Sequence, residues 1–194
     1  MHEIIEIIKQ LIIELGPFVG FLVIIIESIF PILPLGLFIS LNMLAFGNMI
    51  GYIISLIATI AGCLLSFYAF KKGFDNILYK HIKLDGKVDL FLKRIGKIKF
   101  RNLVLLISMP FTPSFAVNIS AGLSKMEDKK FILAILIGKP FMVFFWGFVG
   151  KTIIESINDP LIISIILMIL LLSYLLSELV QKILNIREWN KWNI

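Results

Sequence analysis

Long charge-free stretches of large apolar residues dominate the pattern of hydrophobic and polar positions along this chain. No charged residue occurs within 28–70, 102–124 or 160–177. A helix that crosses the hydrocarbon core of a bilayer needs about 20 consecutive apolar residues. The pattern therefore predicts an all-α polytopic membrane protein with about three full transmembrane helices. The segments expected to cross the bilayer are 51–70, 131–150 and 161–180.

Two apolar stretches are interrupted at their centre by the same Pro-x-x-Pro pattern. The prolines are Pro31 and Pro34 in the first stretch and, 79 positions later, Pro110 and Pro113 in the second. Proline lacks a backbone N–H and its ring clashes with the preceding turn, so each pair should end a helix. Unpaired backbone at membrane depth is tolerated only inside protein or along a wet cavity, and interrupted segments in matching halves indicate a transport site. We therefore expect two re-entrant hairpins in an inverted repeat.

This pattern divides the chain into five segments. They are an interfacial amphipathic helix (1–16), a first re-entrant hairpin with its transmembrane helix (17–70), a basic loop (71–101), a second hairpin with its transmembrane helix (102–151), and a C-terminal transmembrane helix with a cytoplasmic tail (152–194). The alternative for the first stretch is one kinked transmembrane helix with a cytoplasmic N-terminus. Its charge-free run is long for a single span, and the prolines lie centrally, which favours the hairpin.

The distribution of basic residues predicts the orientation. The loop 71–101 carries ten of the nineteen Lys and Arg residues. Cytoplasmic loops are enriched in these residues, so we expect this loop and the C-terminus to face the cytoplasm in a bacterial plasma membrane. Because the net charge of +6 lies between membrane segments, it favours membrane lipids with anionic headgroups as partners and argues against nucleic acid.

Few charged or amide side chains interrupt the apolar segments. Glu27 stands four residues before Pro31 in an aliphatic run, where an ionised carboxylate costs about 2.5–3.5 kcal/mol on insertion scales. It should face the protein interior or water, as a proton or cation site or as a partner for a substrate amine. The alternative is a carboxylate that caps backbone N–H groups freed by the break.

Three further polar residues are candidates for the same interior. Lys139 could pair with Glu27, bind a phosphate headgroup, or snorkel to the cytoplasmic interface. Asn118 and Asn42 could contact substrate or hydrogen-bond a loosened backbone. Gly122, like most glycines here, is expected to serve close helix packing.

The composition offers little for enzyme chemistry. The histidines, His2 and His81, lie away from the membrane acids, and the single cysteine, Cys63, excludes an intrachain disulfide. No Cys/His cluster has metal-ligand spacing, and no glycine run forms a phosphate-binding loop. We expect no enzyme activity, no metal and no cofactor.

Both broken segments carry a family resemblance. Glu27-Ser-Ile-Phe-Pro-Ile-Leu-Pro34 resembles the Glu-x-x-x-Pro-x-x-Pro segment of the DedA-like, or VTT-domain, membrane proteins of the SNARE-associated superfamily. The run from Pro110 to Gly122 is similar to that superfamily's Pro-x-x-Pro-x-x-x-x-Asn-x-x-Ala-Gly signature. The resemblance covers about 18–151 and implies hairpins in an inverted repeat and a role in moving or scrambling lipids, including polyprenyl-phosphate carriers. The positions that match are Glu27, Pro34, Pro110, Asn118 and Gly122.

Three positions depart from the family pattern. Ile107 stands where many members have a basic residue, and Gly36 and Pro113 stand where the carrier-lipid branch has an acid and an arginine. Lys139 is the candidate replacement for the missing cation.

Three functions follow as alternatives. The first is a lipid translocator, scramblase or flippase-like, with Glu27 as a proton-linked switch. The second is a proton- or ion-coupled transporter of small solutes that uses the same carboxylate. The third is a non-transporting membrane organiser whose loop 71–101 docks headgroups or a partner.

Overall fold

The computed structural model describes residues 13–29, 35–72, 94–156 and 158–184, together with Ile7 and Gln10. In these ranges the chain is helical, without strands. The principal helices are α1 (Pro17–Ile29), α2 (Leu35–Phe46), α3 (Asn48–Lys72), α4 (Phe100–Ser108), α5 (Ser114–Leu123), α6 (Asp128–Glu155) and α7 (Pro160–Ile183).

Three helices are long and apolar enough to cross a membrane. They are α3, α6 and α7, with 25, 28 and 24 residues. At about 1.5 Å per residue, even α7 extends about 36 Å, which exceeds the hydrocarbon thickness of about 30 Å. The three predicted transmembrane segments are therefore confirmed as helices, each a few residues longer than predicted.

The other four helices are short and come in two consecutive pairs. They have 13, 12, 9 and 10 residues, so the longest extends only about 20 Å. The predicted interruption at Pro110 and Pro113 is confirmed, because α4 ends at Ser108 and α5 begins at Ser114. In the first pair, α1 ends at Ile29 and α2 begins at Leu35; Pro31 and Pro34 lie outside the described residues.

The helices α1 and α2 fold back on each other. A Cβ added to Gly20 of α1 would collide with the side chain of Asn42 of α2. In one continuous helix these residues would be about 33 Å apart. The alternative of a single kinked helix over 17–46 is therefore wrong.

The two short pairs pack in an exchanged pattern. The first helix of each pair lies on the long helix that follows it, α1 on α3 and α4 on α6. The second helix of each pair lies on the long helix of the other half, α2 on α6 and α5 on α3, and α2 also packs on α3 of its own half. Since α3 and α6 also contact each other, the two halves form one interlocked bundle.

Corresponding glycines make corresponding contacts in the two halves. Ser28 and Ile107 each stand three residues before the first proline of their pattern. A Cβ on Gly62 of α3 would meet the Ser28 side chain and a main-chain oxygen of α1 at 3.1 Å. A Cβ on Gly138 of α6 would meet the Ile107 side chain at 2.8 Å and a main-chain oxygen of α4 at 3.1 Å. In each half a glycine thus lets the helix before the break approach the long helix closely.

Large apolar side chains cover the outer surface of the bundle. They project from α3 and α6 on one face and from α7 on most of its circumference. On α7 only Ile166, Ser177 and Gln181 are buried, and its described contacts are with α4 and α6. Such a surface suits surrounding hydrocarbon, as expected for a membrane protein.

Three predicted features lie wholly or largely outside the described residues. They are the amphipathic helix 1–16, most of the basic loop 71–101 and the tail beyond 184. Of the loop 71–101, the structure describes Lys71 and Lys72 at the end of α3 and residues 94–101, which include a helical turn at 94–97.

Candidate functional site

Both halves contribute buried polar side chains to the inside of this apolar shell. Among the described residues, five of their polar atoms have no hydrogen-bond partner: Asn42 Oδ1, Thr59 Oγ1, Ser66 Oγ, Thr112 Oγ1 and Asn118 Nδ2. An unsatisfied buried polar group costs about 1–3 kcal/mol. Buried polar atoms normally have a partner, so these five can take hydrogen bonds from water or from a polar ligand.

One face of α3 supplies a column of small residues to this interior. Ser55, Thr59, Gly62 and Ser66 are all buried and recur at helical spacing, so they share one side of the helix. That side receives α1, α2 and α5. Cys63 is also buried and belongs to an apolar cluster, in agreement with its predicted packing role.

Glu27 lies on α1 with 7% of its surface exposed. Its neighbour Ser28 packs against Gly62 of α3, so this part of α1 is held on the polar column. The carboxylate therefore faces the protein interior rather than lipid. The alternative, that Glu27 caps backbone N–H groups freed by the break, stays a prediction.

Lys139 is more deeply buried than Glu27, with 1% exposed. Its amine donates to Ser114 Oγ at 2.8 Å and lies 3.6 Å from Met142 Sδ. The snorkelling interpretation is wrong, because the amine turns into the bundle. Within the described ranges no carboxylate pairs with it, so the Glu27–Lys139 pair is not formed.

Ile107, at the position where the family resemblance expects a basic residue, lies in the apolar core. It is buried in a cluster with Leu103 and Leu106 and packs against Gly138. Lys139 follows Gly138 directly, so the bundle has a buried cation beside this position, carried by α6 instead of α4.

Trp146 of α6 connects the two interrupted segments. Its indole N–H donates to the Pro110 carbonyl oxygen at 3.1 Å, which satisfies an acceptor left free by the break. Its ring lies against Gly36, where a Cβ would come within 2.8 Å, and stacks edge-on with Phe111. Sequence reasoning missed Trp146; the only signal was a solitary tryptophan inside an apolar helix.

The two candidate asparagines have different surroundings. Asn42 Nδ2 donates to Ser55 Oγ at 3.1 Å, whereas Asn118 Nδ2 has no partner. Asn118 lies one turn before Gly122. Gly122 lies very close to α3, because a Cβ added there would be 2.6 Å from the Phe67 carbonyl oxygen. Gly122, which lies within α5, thus lets this helix approach α3 closely.

Glu27, Asn118 and Lys139 belong to three different helices, α1, α5 and α6, and all point into the bundle. Among the described residues no group of His, Cys, Asp and Glu side chains is placed to hold a metal ion. The described part of the bundle therefore contains a carboxylate, an amide and an amine on three different helices, all buried.

Comparison with known proteins gives the relationship of the chain. The VTT domain model matches residues 15–152. The uncharacterized membrane protein YhjE of Bacillus subtilis (strain 168) is 31% identical over 172 residues, which cover 89% of this chain and 83% of YhjE. The uncharacterized protein YqeD of the same organism is 30% identical over 118 residues, 61% of this chain and 57% of YqeD. No solved structure matches the chain. The matched region contains both interrupted segments and two of the three long helices, and the chain therefore belongs to the VTT-domain, DedA-like family of membrane proteins.

Proposed function

We propose that this protein moves lipids between the two leaflets of a bacterial plasma membrane, as a scramblase or flippase-like translocator. The observation that carries the proposal is the polar interior between the two interrupted segments. It contains unpartnered buried groups from both halves and is enclosed by an apolar surface. A lipid headgroup needs such a polar route, because an isolated polar group is costly to place in hydrocarbon.

The proposal includes two re-entrant hairpins in an inverted repeat. Four observations support it: the short helices, the fold-back of α1 on α2, the exchanged packing of the halves, and the matching contacts of Gly62 and Gly138. Each pair of short helices would enter the membrane and return to the same face. The two interruptions would then meet at mid-bilayer beside Trp146, where transport sites of such folds lie.

The buried residues have distinct roles in this proposal. Asn118 offers its free amide N–H to an oxygen of the headgroup. Glu27 acts as a proton-linked switch, neutral when the interior is closed and ionised when it is wet, because a charge is tolerated only in the hydrated state. Anionic headgroups are the preferred substrates, and the basic loop 71–101 attracts them from the cytoplasmic side.

The test is a leaflet-accessibility assay with purified protein in liposomes. Fluorescent phospholipids in both leaflets are exposed to a reductant that does not cross the membrane. We expect wild-type protein to permit bleaching well beyond the outer-leaflet half. We expect Asn118→Ala to slow the bleaching at least about fivefold, since a hydrogen bond to a charged group is worth about 1.5–3 kcal/mol.

Glu27→Gln provides the second arm of this assay, and Ser164→Ala on the exposed part of α7 provides the control. Wild-type movement should vary with pH, whereas Glu27→Gln, fixed in the neutral form, should lose that dependence and keep its fold. Bleaching that stops at half for wild-type protein would contradict lipid translocation and would favour the transport of small solutes through the same interior.

A further inference from the structure

Among the described residues, Lys139 is a buried cation without a counter-charge, beside the second interruption. Lys139 is 1% exposed, and within the described ranges its amine contacts only a hydroxyl and a thioether, Ser114 Oγ and Met142 Sδ. Removing an ammonium group from water costs several kcal/mol unless an anion compensates it. An ammonium also has three donors, and the 3.6 Å contact to sulfur satisfies one of them weakly.

The hydroxyl that Lys139 contacts belongs to the first residue of α5. The residue before that helix, Pro113, supplies no side-chain hydrogen bond to its N-terminus. The first N–H groups of a helix carry a partial positive charge and bind anions. Lys139 thus adds a full positive charge to the electropositive end of α5.

A second, independent observation points to a ligand at this place. Thr112 stands two residues before Ser114 in the interruption itself, with 7% of its surface exposed. Its Oγ1 has no hydrogen-bond partner, although buried hydroxyls normally have one. Among the described residues, an unpaired hydroxyl, an amine without a counter-charge and a helix N-terminus without a side-chain cap therefore occur within three consecutive residues of the break and one facing lysine.

We propose that Lys139 Nζ, Ser114 Oγ, Thr112 Oγ1 and the N-terminus of α5 form a binding site for a phosphate group. A phosphate offers three or four oxygens to these donors and supplies the missing negative charge. The site rests on the proposed function in one respect: its ligand in the membrane is the phosphate of the lipid that the protein moves. Inorganic phosphate has the same chemistry and serves as a probe.

Trp146 provides a spectroscopic reporter for this site. It donates to the carbonyl of Pro110, two residues before Thr112, so a ligand at the interruption should alter its fluorescence. The chain has three tryptophans, and the other two, Trp189 and Trp192, can be replaced with phenylalanine. The full chain in detergent micelles would be titrated with inorganic phosphate, with short-chain phosphatidic acid and, as a lipid without phosphate, with short-chain diacylglycerol.

We expect saturable changes with inorganic phosphate and phosphatidic acid and none with diacylglycerol. Lys139→Met, which keeps the length and removes the charge, should weaken phosphate binding at least about tenfold. Lys139→Arg should retain most of it. Lys151→Met is the matched control at the other end of α6, where the amine binds Asn48 and Glu155; it should leave binding unchanged.

The absence of a saturable response in the parent protein, or equal affinity of Lys139→Met, would overturn the site. If Lys139→Met elutes as an aggregate, Ser114→Ala becomes the deciding variant. It removes one donor of the same site and should weaken phosphate binding severalfold. A response to phosphatidic acid but not to inorganic phosphate would assign the site to the lipid headgroup.

The leaflet-accessibility assay separates this inference from the proposed function. Saturable phosphate binding without lipid movement would retain the site and reject translocation. Lipid movement that Lys139→Met leaves unchanged would retain translocation and reject this site as its headgroup contact.

Discussion

Asn42 and Asn118 are both almost fully buried amides, each following one of the two interruptions. Asn42 joins three helices, because it donates to Ser55 of α3 and its side chain fills the space left by Gly20 of α1. Asn118 leaves its amide N–H unpaired. The same residue type therefore serves packing in the first half and remains available to a ligand in the second.

This contrast predicts different effects for two matched substitutions, one mainly on stability and the other mainly on lipid movement. Asn42→Ala should lower the stability by about 1–2 kcal/mol, since it removes a buried hydrogen bond and leaves a cavity. Asn118→Ala should lower the stability less, because its amide N–H makes no hydrogen bond among the described residues, but it should slow lipid movement. Thermal unfolding in detergent and the liposome assay measure the two effects. Unchanged stability of Asn42→Ala would contradict its assigned role.

The burial of the candidate residues was predictable from the sequence, but their partners were not. A charged or amide side chain in a long apolar run is costly facing lipid, which is why Glu27, Asn118 and Lys139 stood out. Trp146 carries no such cost and gave no signal. The Lys139 amine could turn to the membrane surface or to Ser114. The choice depends on the position of α5, and the sequence around Lys139 does not determine that position.

At the level of the helices, Trp146 stabilises the second interruption by a hydrogen bond that α4 and α5 cannot make themselves. Its indole N–H reaches the Pro110 carbonyl oxygen, and its ring packs on Gly36 of α2. One side chain of α6 thus holds both short pairs in position.

Trp146→Phe should therefore destabilise the protein by about 1–3 kcal/mol, because it keeps an aromatic ring and leaves the Pro110 carbonyl unsatisfied. Phe141→Leu is the control on the same helix, where the side chain is exposed at the outer surface. The midpoint of thermal unfolding in detergent measures both variants. Equal midpoints would show that the bond to Pro110 contributes no stability.

The positions of the helices could be predicted from apolar length and from proline, whereas which helices pack together could not. Apolar length predicted α3, α6 and α7, and the missing N–H of proline predicted the end of α4 before Pro110. The exchanged packing of α2 on α6 and α5 on α3 has no counterpart in the hydrophobic pattern. Lipid-facing and protein-facing sides of a membrane helix are both apolar, so the pattern cannot tell them apart.

At the scale of the whole molecule, the excess of basic residues in 71–101 predicts one orientation in the membrane. On a Cys63→Ala background, Lys151→Cys at the end of α6 should react with an impermeant maleimide added to intact cells. Lys182→Cys at the end of α7 should react only after the cells are opened, because that end is expected in the cytoplasm. Labelling of Lys182→Cys in intact cells would show that the protein has the opposite orientation.

The sparse packing of α7 has a consequence for the shape of the route. Beside the second interruption, α7 meets the bundle through the edge-on contact of Tyr174 with Phe111, at 5.7 Å between ring centroids. Most of its remaining side chains face outward. A single aromatic pair is worth about 0.5–1.5 kcal/mol, so this contact can open at low cost. In the proposed translocation, a lipid that enters by parting this pair would carry its headgroup through protein while both acyl tails stay in hydrocarbon, and the molecule would turn over without leaving the membrane.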